Sequence, residues 1–450
     1  MNKKRKIIVG STAAAVIVIG GGAFAAAQLL GDNDIDMAAH LPGSAVGYME
    51  VDLNPSLEQK VAGLSLASKL ESLMGDDTRE NESLEESLAH TNFEGVDYKS
   101  DVKPWIGTQF AVAPISPKAE EVVSLYSVKD RQKAEDSLPK LNHGDHHYSL
   151  EKDYLVVTDT TADYDAYASA LTNGTLSDND EFTRDRKAMD DNIAFAWADL
   201  GRVEFPPGKT MSEVPDLSGR VAATVRLSGD SVDLNAKSFD LAVEGVDDFS
   251  TATSGTTVLG ELGADTVGGI GVADISNTFR KNWDAVVDNP AAAGQIAGSL
   301  DPLGQMLGLK LPQDADKVIG DYLAVGYESD EKIRVVARGA DAGTWDTVAG
   351  MVGAVGGSTQ TTTSTHGEDI HVLFNGDAAA DAGRLRDHPL YSKALPQIDT
   401  AQFAAWLDLN KVQAMSEEPE TKENEGVVGA TISYDQDKAE HDIAVHWVLK

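Results

Sequence analysis

The chain repeats itself, and a repeat limits the folds open to it more than any single motif does. Asp52-Leu53 has a counterpart in Asp274-Ile275, Ile106-Gly107 in Ile319-Gly320, and Ala111-Val112 in Ala324-Val325. Further on, Trp197-Ala198-Asp199-Leu200 is matched by Trp406-Leu407-Asp408-Leu409, and Ala223-Thr224-Val225 by Ala430-Thr431-Ile432. The matches keep their order while their spacing shrinks from 222 to 213, 209 and 207 residues. Chance matches would scatter; a drift in one direction fits a duplicated unit that has lost a few residues in its second copy. The implied organisation is a first copy over residues 37–245, a linker over 246–258 rich in Ser, Thr and Gly, and a second copy over 259–450.

Within the first copy, Met49, Val51 and Leu53 alternate with Glu50 and Asp52, the two-residue period of a half-buried strand. Asn54-Pro55 then offers an N-cap and a first helical position to residues 57–73. Further strands are predicted over 109–115, 122–128, 148–150, 154–158, 193–200, 220–227 and 232–239. Ser228-Gly229-Asp230-Ser231 forms a hairpin turn between the last two, and Asp435-Gln436-Asp437-Lys438 is its counterpart. Sheets joined mostly by hairpins, with helices on one face, belong to the α+β class. The predicted fold is therefore α+β: two related copies of an antiparallel sheet with helices packed on it, preceded by one transmembrane helix. Three stretches, 76–86, 358–365 and 416–426, are acidic or almost all Ser and Thr and are predicted as exposed loops.

The membrane helix is read from the first thirty residues. Lys3, Lys4, Arg5 and Lys6 make a basic flank over 1–6, and residues 7–30 follow without a charge. About 20 apolar residues span a bilayer core, and a basic flank stays on the cytoplasmic side. The expectation is a single-pass signal anchor in the cell membrane with the C-terminal region outside the cytoplasm. The rival is a cleaved signal peptide with its site near Ala23-Phe24-Ala25; the apolar character that continues through Leu29 and Leu30 speaks against it. Cysteine is absent, so an exported region would be held together by its core, without disulfides or thiolate-bound metal. Lys and Arg number 37 against 73 Asp and Glu; without the four flanking cations the balance is 33 − 73 = −40. Such a surface repels nucleic acid, and no nucleic-acid partner is expected.

Residues 41–56, with Gln59-Lys60 after them, resemble the opening of a bacterial membrane-anchored family catalogued as the domain of unknown function 3352 family. Asp101-Val102-Lys103-Pro104-Trp105-Ile106-Gly107, Val128-Lys129-Asp130 and Trp197-Ala198-Asp199-Leu200 resemble later blocks of it. The resemblance implies an extracytoplasmic, membrane-tethered protein without an assigned activity, and it carries over no catalytic residue.

Several constellations invite a chemical reading. Ser137-Leu138-Pro139-Lys140 and Ser177-Asp178-Asn179 match two motifs of penicillin-recognising serine enzymes, but Lys209-Thr210 is followed by Met211 where the third needs Gly. Gly208-Lys209-Thr210 resembles the end of a phosphate loop, yet Val203 stands where its first Gly belongs. His143, Asp145, His146 and His147 form the densest set of possible metal ligands, with His366 and His371 in the comparable place downstream. Zinc would need a further distant ligand, so a polar turn entering a strand is the favoured reading. Trp197 with Asp199 and Trp406 with Asp408 are the pairs most clearly kept in both halves; a core tryptophan and a carboxylate at the strand's exit explain them without catalysis. Asp32, Asp34 and Asp36 have the early spacing of a calcium loop, but Met37 occupies its glycine position.

No catalytic, cofactor-binding or metal-binding residue is therefore assigned. The expectation is a non-catalytic binding or envelope-interaction protein whose partners are the membrane and an unknown protein or hydrophobic ligand. A carrier of a lipid or other hydrophobe and an enzyme without a local motif are the alternatives.

Overall fold

The computed structural model describes residues 35–52, 59, 61–63, 93, 97–141, 146–190, 192–204, 217–243, 256–281, 283, 304, 307–328, 332–355, 361–375, 383–415, 426–435, 438 and 440–449. The chain divides into two compact units between Leu241 and Ala242.

The first unit carries β1 (Gly47–Asp52), β2 (Ile106–Pro114), β3 (Val122–Val128), β4 (His147–Leu150), β5 (Tyr154–Thr158), β6 (Ala194–Asp199), β7 (Leu217–Ser228) and β8 (Ser231–Val243). Their order across the sheet is β4-β5-β3-β2-β1-β6-β7-β8. The second unit carries β9 (Thr266–Ala273), β10 (Tyr322–Glu328), β11 (Ile333–Arg338), β12 (Thr361–His366), β13 (Asp369–Phe374), β14 (Phe403–Asp408), β15 (Val427–Asp435) and β16 (Glu440–Val448), in the order β12-β13-β11-β10-β9-β14-β15-β16. Strand for strand the two orders are the same, and so is the register. One cross-strand row reads Ser149, Val156, Leu125, Ala111, Glu50, Phe195, Thr224. Its counterpart reads Ser364, His371, Val336, Ala324, Gly271, Ala404, Thr431.

Local chemistry explains the elements. Valine, threonine and aromatic residues dominate strands such as β3 and β5, where branched side chains pack well on a pleated surface. Gly229 and Asp230 turn β7 into β8, and Gly367, at φ +65°, turns β12 into β13. Helices pack against the strands of each unit. In the first unit Asn179 caps the helix Asp180–Lys187 by accepting from the N–H groups of Glu181 and Phe182. Phe182 then reaches a core with Leu41, Tyr48, Leu125, Val156, Leu176 and Trp197. In the second unit the matching core holds Leu259, Leu262, Ala324, Val336, Leu385 and Trp406. The opposite face of β11 and β13 packs Val335, Ala337, Ile370 and Val372 under Trp345 and Ala349 of the helix Ala342–Val355.

The predicted class, α+β in two copies behind a transmembrane helix, is corrected. Sixteen antiparallel strands build the described residues, which are predominantly antiparallel β. Ladders as long as the 12-residue β7 and the 13-residue β8 outweigh helical pieces such as Asp316–Ile319 and Tyr391–Ala394, which are 4 residues each. Among the described residues no helix is long and apolar enough to cross a membrane, so the transmembrane and signal-anchor reading gains no support. The candidate span over 7–30 lies outside the described residues. A second correction concerns 358–365: Thr361–His366 is the edge strand β12, its β-branched threonines suited to a ladder despite their polarity. Residues 76–86 and 416–425 lie outside the described residues.

Candidate functional site

Equal registers make the two units comparable position by position, and they differ most where β10, β11 and β13 meet. In the first unit the ladder Ala113, Val123, Thr158 lies beside the row containing Leu125 and Val156, with Ile115 just past the end of β2; all but Thr158 are apolar and all are buried. In the second unit the same places hold Gly326, Arg334 and Leu373, with His371 in the row and Glu328 at the strand's end. Glu328, Arg334 and His371 are nonetheless 4%, 6% and 3% exposed. Three polar side chains thus occupy a layer that the first unit fills with Ile115, Val123 and Val156. The fold does not require them, and burying such groups is costly unless they are paired.

Two of the three are paired. Arg334 Nε donates to Glu328 Oε1 at 2.5 Å. Gly263 lies directly against this pair; a Cβ there would collide with the Glu328 carboxylate. Four residues further along β11, Arg338 grips both oxygens of Asp369, at 2.6 and 2.9 Å, with its guanidinium over the Tyr322 ring. Arg384 and Arg386 both turn to Glu261. His371 is different. Among the described residues neither of its ring nitrogens has a hydrogen-bond partner, and the His366 ring meets it edge to face at 5.0 Å. Burial pushes its pKa down to about 4, and Arg384, His366 and Arg334 push the same way against Asp369. At neutral pH it is an uncharged imidazole with one unused donor and one unused acceptor.

The residues singled out from sequence have other work. Trp197 and Trp406 are each 2% exposed and hold equivalent ladder positions, opposite Ala222 and Gly429. Trp197 Nε1 donates to Asp185 at 3.0 Å, while Trp406 Nε1 has no partner among the described residues and lies against the His388 and Tyr391 rings. Asp408 caps the helix Leu409–Ala414 through the N–H of Lys411, and Asp199 sits near Arg202 at 3.8 Å. Burial raises the Asp199 pKa despite Arg202 and Arg220. His388 Nε2 lies 3.8 Å from Asp408 Oδ2, and its Nδ1 accepts from the N–H of Leu390 at 3.3 Å.

Ser177, Asp178 and Asn179 serve as local ties: Ser177 donates to Asp36, Asp178 closes a capping box with Thr175, and Asn179 caps a helix. Ser137 is buried in a helix whose Lys140 pairs with Asp101. His146 faces Asp159 and His147 contacts Thr161 and Tyr164. His143, Asp145, Asp32, Asp34, Lys209 and Thr210 lie outside the described residues. The two histidine clusters are not at comparable places. His147 opens β4 opposite Thr158, whereas His366 and Asp369 close the other end of the equivalent hairpin.

The inset of Glu328, Arg334 and His371 escaped the sequence reading because its members come from three strands and only ladder register brings them together. A residue-by-residue alignment of the two halves through this hairpin, setting His371 against Val156, would have found it. Comparison with protein-family models, with curated proteins and with solved structures found no match for this chain.

Proposed function

We propose that this chain is an exported binding protein without a catalytic step, and that its second unit recognises a small polar ligand at the inset around His371. The supporting observation is His371 itself, buried with both ring nitrogens unpartnered where the sister position is a valine. A folded chain gains nothing from such a group, and a hydrogen-bonding ligand gains a great deal, since polar groups left unpaired in a site are what discriminate ligands. A thermal-shift screen of small polar compounds tests the reading. Hits should raise the melting temperature of the wild type, by mass action on the folded state, and should leave His371→Val unmoved. A screen in which His371→Val responds as the wild type does would sink it.

A second reading, a carrier of an acyl chain, draws on the other face of the same sheet. Ile270, Ile333 and Leu407 share that face by register and are 47%, 41% and 39% exposed. Aliphatic side chains grouped on one face mark hydrophobe-binding surfaces. Mass spectrometry of organic extracts from the purified native protein would retire this reading if no lipid is recovered in stoichiometric amount.

A further inference from the structure

We propose that the inset in the second unit binds a divalent transition-metal cation, held by His366 and His371 from adjacent strands, with its remaining positions left to water or to a small ligand. The inference rests on the binding reading above and names what His371 takes up.

Register brings the two imidazoles together. His366 closes β12 opposite Asp369, and His371 stands two residues further along β13, so the two are diagonal neighbours on one face of the hairpin. Their ring centres are 5.0 Å apart, with the planes at 82°. Bonds of about 2.0–2.1 Å from two imidazoles to one ion, meeting at a tetrahedral or square angle, put the ring centres about 4.5–5 Å apart. His371 is buried with neither nitrogen bonded among the described residues, whereas His366 is exposed, so an ion reaches the pair from the solvent side.

The charged groups nearby are already matched. Arg334 is on Glu328, Arg338 holds both oxygens of Asp369, and Arg384 lies 3.5 Å from Glu261. What the hairpin then offers a ligand is two imidazole nitrogens. Imidazole suits copper(II), nickel(II) and zinc, while calcium and magnesium require oxygen ligands. Among the described residues no group of three or more His, Cys, Asp or Glu could hold a metal ion, so two protein ligands leave an open site and not a closed structural one. The chain's net charge of −36 draws cations toward it. The first unit provides the contrast. By register Val156 stands for His371, and Glu151, two residues past Ser149, stands for His366; Glu151 Oε1 accepts from the hydroxyls of Ser149 and Tyr164 at 3.0 and 3.2 Å. Both imidazoles therefore belong to the second copy alone.

The test is calorimetric titration of the untagged full chain with zinc chloride, nickel(II) chloride and copper(II) as its glycine complex, at about pH 7.5, where an unperturbed imidazole is mostly neutral. Electron paramagnetic resonance of the copper(II) form follows. One ion per chain should bind, copper(II) most tightly by the general order of divalent affinities, and the spectrum should show coupling to two imidazole nitrogens. His366→Ala and His371→Val should each weaken binding at least about tenfold, since losing a ligand costs no less than losing an outer-shell partner. Circular dichroism confirms that both fold, and His366→Ala alters only an exposed side chain. If the ions bind both variants as they bind the wild type, or depend on His371 but not on His366, the two-imidazole site falls. If no ion binds while a small polar compound does so in a His371-dependent way, the metal assignment falls and the binding reading stands. If nothing binds in a His371-dependent way, both fall.

Discussion

Two tryptophans at equivalent ladder positions show how much a single partner matters. Both rings are buried, so truncation of either to alanine should cost about 3–5 kcal/mol. Phenylalanine separates them. Trp197→Phe removes the donor to Asp185, a carboxylate with no exposure, whereas Trp406→Phe removes an N–H that bonds to nothing among the described residues. Urea denaturation should therefore show Trp197→Phe to be the costlier by about 1 kcal/mol or more; equal costs would mean that the indole donor to Asp185 contributes nothing. His371 carries a pH signature at the same scale. Its folded pKa, about 4, lies below the ordinary value of 6.5. As pH falls through 6.5 the unfolded chain binds a proton that the folded one refuses, so stability declines between about pH 6.5 and 4, by at most about 3 kcal/mol. His371→Val should remove that slope. A slope identical in the variant would show that His371 is not the group responsible.

At the scale of elements, the helix Asp180–Lys187 is tied to β7 by charge. Arg220 Nε donates to Asp185 at 2.7 Å and its Nη2 to Asp240 at 2.7 Å, and these carboxylates lift the Arg220 pKa against the pull of burial. In the second unit Ala394 stands where Asp185 does, 12 residues before the tryptophan, and Val427 replaces Arg220 in the ladder. Arg220→Val alone should cost about 3–5 kcal/mol because Asp185 keeps its charge inside, while the double change with Asp185→Ala should recover most of that loss. Additive losses in a double-mutant cycle would refute the account. The same elements show what sequence could and could not convey. The predicted strands over 122–128 and 154–158 coincide with β3 and β5, because apolar alternation and flanking turns are local signals. The Asp52 to Asp274 match fails by one residue, since by register Asp52, opposite Gln109, corresponds to Ala273, opposite Tyr322. Thr361 to His366 was illegible as a strand because it lacks alternation. The class was misjudged because helical segments are conspicuous in sequence while ladder length is set by long-range pairing. The inset was invisible for a related reason: Glu328, Arg334 and His371 look like surface residues until pairing places them in a buried layer.

For the whole molecule, the net charge of −36 sets a field that competes with these local terms. Like charges repel most in the compact state, and salt at 0.1 M already screens beyond about 10 Å. Exposed ion pairs such as Arg131 with Glu135 weaken on screening, but each contributes no more than about 1 kcal/mol, and buried pairs such as Glu328 with Arg334 are screened far less. Relief of repulsion should win, so the melting temperature should rise as NaCl goes from 0.05 to 0.5 M at pH 7. The two effects of acid then oppose each other. Approaching the isoelectric point near 4.5 discharges carboxylates and relieves repulsion, whereas His371 loses stability over the same interval. At low salt the sum should be a shallow profile. At 0.5 M NaCl, where repulsion is already screened, the His371 contribution should emerge as a fall in melting temperature from pH 6.5 downward, and His371→Val should flatten it. Scanning calorimetry of both proteins across this grid of pH and salt checks the argument, and a wild-type profile whose acid limb is unchanged by salt would show that net charge is not the opposing force.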